Sequence, residues 1–196
     1  MHREIEVPTV IPAIRRPEEW GDVGYPSSMP SWVFILGGAV DAVSEATGRL
    51  QKRGWWVFVH VDMMRGLSTD AEGLRFLVDF AGPNGVISTH SQTITHAKRV
   101  GLWTIQRIFL LDSQSVTTGM QQVLSTRPDA IECLPGVLPE VTRKVVRGLP
   151  FPVIAGGLIT TREDMDRMRQ AGVRGISTST RVLWPRSAPI YQQRSP

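Results

Sequence analysis

Two short segments near the carboxyl end of the chain carry residue types that bind phosphate. Each is a β-branched run that ends in small residues, and the two read PVIAGGLITT (152–161) and VRGISTST (173–180). Gly156 and Gly157 lack a Cβ, so their backbone can approach an anion closely and adopt a positive φ. Ser177 and Thr178 add hydroxyl donors where a following helix would place its positive end. We therefore predict a phosphate cradle at Gly156, Gly157, Ser177 and Thr178.

Each segment also has a simpler interpretation, because a Gly-Gly pair after a strand often forms a tight turn and Ser/Thr runs cap helices. Their order favours the phosphate site. In a (β/α)₈ barrel the common phosphate site is built from the loops after the seventh and eighth strands. The two segments contain the last two strands predicted in the chain. The phosphate site is therefore expected only if the chain has eight strands in all.

The elements that would position these residues alternate along the chain. Eight apolar runs predict strands, at 10–14, 32–36, 55–61, 85–89, 103–110, 130–133, 153–155 and 175–177. Helical patterns fill most intervals, at 39–52, 71–80, 92–100, 113–125, 140–147 and 162–171, whereas 17–31 predicts a short or irregular crossover. Eight parallel strands can close without an exposed edge. We predict an α/β fold, a small single-domain (β/α)₈ TIM-type barrel over 1–185, in preference to a doubly wound open sheet. Residues 186–196 are predicted to be a disordered tail.

Charged and titratable side chains lie where several of these strands end, which is where a barrel carries its chemistry. They are Arg15, His60, Asp62, Arg107 and Glu132. An unpaired cation within an apolar strand is costly, so Arg107 should contact either Glu132 or the phosphate of a ligand. His60 could instead be a structural histidine between strand and helix, and Asp62 could cap the turn that follows it. Cations, acceptors and a phosphate cradle together suit a small phosphorylated polyol.

Composition excludes several classes of protein. At 196 residues, with 41% hydrophobic and 20% charged residues, the chain fits one globular domain. Cys133 is the one cysteine, which excludes a disulfide framework and fits a reducing cytoplasm. No apolar run reaches the roughly 20 residues of a membrane helix, and the acidic amino terminus does not fit a signal peptide. The four histidines show no ligand spacing, so no metal site is predicted.

Positive charge is concentrated in the last part of the chain. Residues 1–139 hold 12 Lys and Arg against 14 Asp and Glu, whereas residues 140–196 hold 10 against 4. Such an asymmetry indicates a polyanionic partner, because Lys and Arg release counterions from a phosphate backbone. The alternative is a solvated basic helix face without a partner.

Eight segments at the strand exits form a recognisable set: IPAIR (11–15), ILGG (35–38), VFVHVDMMRGLS (57–68), GVISTH (85–90), TIQRIFLLDS (104–113), DAIECLPG (129–136), PVIAGGLIT (152–160) and GISTST (175–180). Taken together they resemble the glycerol-3-phosphate-responsive antiterminators, bacterial regulators of glycerol uptake operons. The resemblance implies a cytoplasmic barrel that binds glycerol 3-phosphate as effector, needs no cofactor, and acts on leader mRNA to prevent premature termination. It also implies that Gly156, Gly157, Ser177 and Thr178 hold the phosphate. The residues implied to line the polar pocket are Arg15, His60, Asp62, Arg107 and Glu132.

The leading hypothesis is thus a ligand-gated RNA-binding regulator and not an enzyme. The sequence has no RNP-type aromatic strand, so RNA would be contacted by Arg-rich helices. One rival is a phosphate-binding barrel enzyme, such as a glycerol-phosphate prenyltransferase or an isomerase, which needs a general base or a Mg²⁺ site. Another is a metabolite-binding scaffold for a protein partner. A homo-oligomer is compatible with the sequence.

Overall fold

Eight parallel strands close into a barrel in the computed structural model, which describes residues 4–185. They are β1 Val10–Ile14, β2 Trp32–Ile35, β3 Trp56–His60, β4 Gly85–Ser88, β5 Trp103–Phe109, β6 Ala130–Leu134, β7 Val153–Gly156 and β8 Gly175–Thr178. Each strand pairs with its neighbour in the chain, and β8 returns to pair with β1. The predicted TIM-type barrel is confirmed. The tail predicted over 186–196 lies outside the described residues.

Six α-helices cover the outside of the barrel between β2 and β8. They are α1 Val40–Lys52, α2 Ala71–Phe80, α3 Ser91–Arg99, α4 Ser113–Thr126, α5 Pro139–Gly148 and α6 Arg162–Gln170. The crossover from β1 to β2 contains only the 3-10 helix Pro17–Asp22, which agrees with the irregular crossover predicted there. β8 leads into the 3-10 helix Arg181–Leu183. The helix expected directly after Thr178 is therefore a single short turn, and its dipole is correspondingly small.

Side-chain caps fix where several helices begin. The Asp70 carboxylate accepts from the N–H of Gly73 at 2.8 Å at the start of α2, and Asp112 accepts from the N–H of Ser115 at 2.7 Å at the start of α4. At α6, the Thr161 hydroxyl accepts from the N–H of Asp164 while the Asp164 carboxylate accepts from the N–H of Thr161. Because such caps satisfy otherwise unpaired N–H groups, the starts of these three helices can be recognised in the sequence.

Side chains alternate between two cores, one inside the barrel and one beneath the helices. The interior core contains Ile11, Ala13, Trp32, Phe34, Phe58, Ile87, Ile105, Ala130 and Ile154. Trp32 packs on Phe58 with ring centroids 4.5 Å apart. Because side chains of one face recur every second residue, the next inward position of each strand lies at the carboxyl-end mouth of the barrel.

A pair of two-residue strands lies beyond the carboxyl ends of β2 and β3. Gly38–Ala39 runs parallel to Met64–Arg65. This pair was not predicted from the sequence. It joins the exit of β2 to the exit of β3 at the mouth of the barrel.

Candidate functional site

The last inward-facing positions form a ring at the carboxyl-end mouth. Two residues beyond the last interior position of each strand, which is Gly175 in β8, lie Arg15, Leu36, His60, Thr89, Arg107, Glu132, Gly156 and Ser177. Six of the nine predicted site residues therefore belong to one ring. Of the other three, Gly157 and Thr178 follow the ring directly along the chain, and Asp62 lies two residues beyond His60.

A buried ion pair forms the centre of this ring. Arg107 and Glu132 are register partners on β5 and β6, and the Nε and Nη2 atoms of Arg107 each lie 2.8 Å from Glu132 Oε2. The Glu132 side chain is 2% exposed and that of Arg107 is 11% exposed. Of the two partners predicted for Arg107, the structure shows Glu132. The other carboxylate oxygen of Glu132 accepts from the hydroxyl of Ser177 at 2.5 Å.

Gly156 makes room for the contact between Glu132 and Ser177. β7 lies between β6 and β8, and a Cβ on Gly156 would collide with Glu132 Oε1 and lie 2.5 Å from Ser177 Oγ. Sequence reasoning assigned the missing side chain of Gly156 to the approach of a phosphate. The structure shows a structural use for it, since it lets two side chains meet across an intervening strand.

His60 is a buried histidine beside the ion pair. Its side chain belongs to a residue that is 3% exposed, and its Nδ1 has no hydrogen-bond partner within residues 4–185. Burial lowers the pKa of His60 to about 4, and the positive charge of Arg107 acts in the same direction. The nearby carboxylates of Asp62 and Glu132 oppose this shift and are outweighed. His60 is therefore neutral near pH 7.

Asp62 joins the exits of β3 and β4. Its carboxylate accepts from the hydroxyl of Ser88 at 2.6 Å, and from the N–H and the hydroxyl of Thr89 at 2.7 and 2.8 Å. Burial acts to raise the pKa of Asp62, but these hydrogen bonds outweigh it and hold the pKa below its ordinary value. The interpretation of Asp62 as a cap of the following turn is wrong, because both of its carboxylate oxygens accept from residues at the exit of β4. Sequence reasoning also missed Ser88 and Thr89 as its partners.

The loop after β7 is bent by two consecutive residues with positive φ. Gly157 has φ 74° and Leu158 has φ 62°, and Leu158 is 71% exposed. Such a conformation is common for glycine and costly for leucine, and strain of this kind concentrates at functional sites. The N–H groups of Gly157 and Leu158 make no hydrogen bond to any part of the chain that the structure describes. Two donors are thus presented at the surface of this loop.

The loop after β8 is held in place by hydrogen bonds of Thr178. The hydroxyl of Thr178 donates to the carbonyl of Ile159 at 2.8 Å and accepts from the N–H of Thr180 at 3.0 Å. Trp184 also donates its indole N–H to the carbonyl of Thr178 at 2.7 Å. Thr178 therefore braces the two loops against each other. The backbone N–H of the exposed Ser179, in contrast, makes no hydrogen bond within residues 4–185.

Arg15 lies at the rim of the mouth and is exposed. Its backbone N–H donates to Glu19 Oε2 at 3.0 Å, while its guanidinium makes no ion pair with any carboxylate of the described chain. On the opposite side, Arg107 and Thr89 also line a groove of about 430 Å³ that extends along α4. Arg15 is thus an unpaired cation at the rim within residues 4–185, whereas Arg107 is a paired cation inside the mouth.

Neither a metal site nor a membrane span emerges from the described part of the chain. Residues 4–185 contain no group of three or more His, Cys, Asp or Glu side chains placed to hold a metal ion. None of the helices found there has the length and apolar character to cross a bilayer.

The fold and its polar mouth define a TIM-barrel protein with a single domain. The profile of the family "Glycerol-3-phosphate responsive antiterminator" matches residues 10–184, and the chain belongs to this family. The crystal structure of a glycerol uptake operon antiterminator regulatory protein from Listeria monocytogenes superposes with a TM-score of 0.85 at 31% identity, covering 93% of this chain and 98% of that one.

Two further relatives agree with this family. The crystal structure of a glycerol uptake operon antiterminator-related protein from Thermotoga maritima has a TM-score of 0.77 at 32% identity, and the match covers 90% of this chain and 97% of that one. The uncharacterized protein YgcP of Escherichia coli is 33% identical over 153 residues, which are 78% of this chain and 80% of YgcP.

Proposed function

We propose that this protein is a transcription antiterminator that binds glycerol 3-phosphate at the barrel mouth and binds the leader mRNA of glycerol uptake and metabolism genes. One observation supports this position for the ligand. The unpaired N–H groups of Gly157 and Leu158 lie in the loop that follows Gly156, next to the buried pair of Arg107 and Glu132. Family membership and the printed names of the two structural relatives support the effector and the regulatory role.

The proposed ligand has a phosphate at one end and hydroxyl groups at the other, and the mouth offers partners for both. The N–H groups of Gly157, Leu158 and Ser179 would donate to phosphate oxygens, and the exposed guanidinium of Arg15 would supply charge. The neutral imidazole of His60, whose Nδ1 has no partner within residues 4–185, would bind a polyol hydroxyl, and Glu132 would hold Arg107 and Ser177 in place beneath the ligand. Neither Thr178 nor Asp62 is needed for direct contact, because both are engaged within the protein.

Ligand binding would act by favouring one arrangement of the mouth. A ligand that bridges the loops after β7 and β8 to the rim at Arg15 stabilises the conformation in which these loops are ordered together. For this to control RNA binding, the RNA must have a higher affinity for that conformation than for the alternative. The protein would be cytoplasmic, with glycerol 3-phosphate as its effector and no cofactor.

A barrel enzyme acting on a small phosphorylated polyol is the second candidate. The observation that favours it is the unpartnered Nδ1 of His60, a neutral imidazole inside the pocket that could accept a proton. The two carboxylates nearby are less suited to this role, because Asp62 and Glu132 are held by hydrogen bonds and an ion pair. An assay for consumption of glycerol 3-phosphate separates the two candidates, since the regulator binds the ligand without turning it over.

Thermal unfolding with glycerol 3-phosphate tests the ligand, with glycerol and inorganic phosphate as controls. A ligand at 100 times its Kd adds about 2.7 kcal/mol to the free energy of unfolding. We expect this stabilisation for glycerol 3-phosphate and a much smaller one for either half of the molecule. Equal stabilisation by inorganic phosphate would show a general anion site and contradict the proposed effector. A gel shift of leader RNA with and without the ligand then tests the antiterminator role.

A further inference from the structure

The amino-terminal face of the barrel, opposite the mouth, gathers positive charge. In a (β/α)₈ barrel the helices run antiparallel to the strands, so their carboxyl ends meet at the amino ends of the strands. α3 ends with Lys98 and Arg99, α5 has Arg147 in its last turn, and Arg127 follows α4 directly. Lys98 confirms that these ends are neighbours, because its Nζ lies 3.2 Å from the carbonyl oxygen of Thr126.

Five of the cations on this side are exposed and lack an acidic partner. They are Arg99, Arg127, Lys144, Arg147 and Arg174, and none of them makes an ion pair within the part of the chain described. We call these five residues the basic crescent.

Other arginines of the same helices behave differently. Arg143 pairs with Glu140 at 2.7 Å, Arg167 with Asp164 at 2.6 Å, and Arg169 with Asp166 at 3.0 Å. Arg167 and Arg169 lie in the last turn of α6, where carboxylates of their own helix neutralise them, whereas the five residues of the basic crescent have no such partner within residues 4–185.

The members of the crescent belong to consecutive elements that pack side by side, from α3 through α4 and α5 to the turn between α6 and β8. The end of α6 lies close to α5, since a Cβ on Gly172 would be 3.2 Å from Val146. Arg127 itself adopts the left-handed conformation, with φ 51°, and is exposed. The carboxylates expected on this face are few: Glu4 and Glu6 precede β1, Asp79 ends α2, and Asp129 is buried against Thr104.

The favourable interaction of cations with helix carboxyl ends accounts for only part of this pattern. Arg174 lies four residues beyond the end of α6, in the turn before β8, where that interaction has faded. Repulsion among five neighbouring cations without counter-charges also lowers the stability of the folded protein. A polyanion would remove this repulsion and release its own counterions.

We propose that the basic crescent is the surface to which RNA binds. This inference rests on the proposed function, from which it takes RNA as the partner, and it adds the location. Arginine guanidiniums bind phosphate oxygens with paired hydrogen bonds, so Arg99, Arg127, Arg147 and Arg174 are suited to follow a phosphate backbone. The strands between mouth and crescent have four to seven residues, so the two surfaces are separated by roughly 15–20 Å. The effector would not touch the RNA, and the barrel itself would couple the two sites.

A matched pair of charge-reversal variants tests this location. The first carries Arg147→Glu and Arg174→Glu, and the second carries Arg65→Glu and Arg162→Glu. All four arginines are exposed, and none makes an ion pair within residues 4–185, but Arg65 and Arg162 lie at the mouth end. Both variants change the net charge equally. The probe is a 40-nucleotide RNA of mixed sequence, titrated by fluorescence anisotropy at several salt concentrations.

We expect the crescent variant to bind this RNA at least tenfold more weakly than the unmodified protein at low salt. Loss of two phosphate contacts should also reduce the slope of log K against log salt by about 1.4. The mouth variant should stay within about twofold. Circular dichroism and the urea midpoint check that both variants fold, and unchanged stabilisation by glycerol 3-phosphate checks that the crescent variant keeps an intact mouth. If the charge reversal destabilises the chain, Arg147→Gln with Arg174→Gln is a milder variant. It should still bind the RNA more weakly than the unmodified protein and the mouth variant do.

The remaining outcomes overturn the proposal in distinguishable ways. Equal weakening in both variants would mean that only net charge matters, and stronger weakening in the mouth variant would place RNA at the mouth. Wild-type affinity in the crescent variant would exclude the crescent and leave the proposed function intact. No RNA binding by the unmodified protein at low salt would contradict the proposed function itself.

Discussion

The hydroxyl of Ser177 reaches the carboxylate of Glu132 across a strand that separates their own two strands. The distance is 2.5 Å, and the contact passes over Gly156 on β7. The same carboxylate holds Arg107 through its other oxygen. Residues from β5, β6 and β8 are thereby locked into one cluster whose existence depends on a missing side chain.

Substitution of Gly156 by alanine should destabilise the protein by about 1–3 kcal/mol, because the new methyl group displaces a buried carboxylate and a hydroxyl. Gly48→Ala is the matched control. Gly48 lies within α1 with open space at the position of a Cβ, so alanine there should be neutral or stabilise the helix by up to about 1 kcal/mol. Urea unfolding of the two variants measures both effects. A cost at Gly156 no larger than that at Gly48 would contradict the packing described here.

Removal of Arg107 should be costly because it leaves Glu132 buried without its counter-charge. We expect Arg107→Ala to lower the free energy of unfolding by about 3–5 kcal/mol. Adding Glu132→Gln to Arg107→Ala should recover part of this loss, since the uncompensated charge is then gone. A double-mutant cycle in urea measures the coupling, and additive effects of the two substitutions would show that the pair is energetically unimportant.

The depressed pKa of His60 predicts a specific pH dependence of stability. The pKa is about 4 in the folded protein and about 6.5 in an unfolded chain, so the unfolded state binds more protons between these values. Stability should therefore be unaffected by His60 above about pH 6.5 and fall as the pH drops to 4, by about 3 kcal/mol at most. His60→Asn should flatten the profile between pH 6.5 and 4.5, where few carboxylates titrate. A His60 resonance titrating near pH 6.5 in the folded protein would be inconsistent with this account.

Cys133 should be inert in the folded protein. It is fully buried on β6, and burial raises the pKa of its thiol to about 12, with the nearby charge of Glu132 acting in the same direction. Iodoacetamide should label the native chain only as fast as it opens, and should add one label per chain in denaturant. Rapid labelling of the native protein would mean that β6 is accessible.

Substitutions of the neighbouring residues Arg15 and Arg16 distinguish a direct contact with the ligand from the general effect of removing one positive charge. Both are exposed, but the guanidinium of Arg16 pairs with Glu19 at 3.2 Å. Arg15→Gln should weaken glycerol 3-phosphate binding by about tenfold or more, because it removes a charge-assisted hydrogen bond worth about 1.5–3 kcal/mol. Arg16→Gln should have little effect. Isothermal titration calorimetry gives both affinities, and equal affinities would remove Arg15 from the proposed site.

Much of the fold could be predicted from the sequence because its local signals agree with one another. The predicted bounds of the eight strands lie within one residue of those observed. Buried parallel strands are apolar along their length, and α2, α4 and α6 begin at recognisable side-chain caps. The contact between Arg107 and Glu132 was predictable as one of two alternatives for a related reason, since a charge inside an apolar strand requires a partner.

Other features depend on three-dimensional relationships that no local pattern encodes. The paired strands Gly38–Ala39 and Met64–Arg65 are too short to show any periodicity. Thr178 was predicted to donate to phosphate, but the path of the preceding loop places the carbonyl of Ile159 within its reach. Leu158 could not be predicted at positive φ, because leucine rarely adopts that conformation.

The pairing of β1 with β8 has a consequence for synthesis on the ribosome. While the chain is being made, β1 and the most recently completed strand both remain open edges, and the last partner becomes available only when residue 178 has left the ribosomal exit tunnel. Ser177 and the loop after it belong to this closing strand and its exit. A nascent chain should therefore be unable to bind the proposed effector until β8 has emerged and paired with β1, so regulation would have to wait for closure of the barrel.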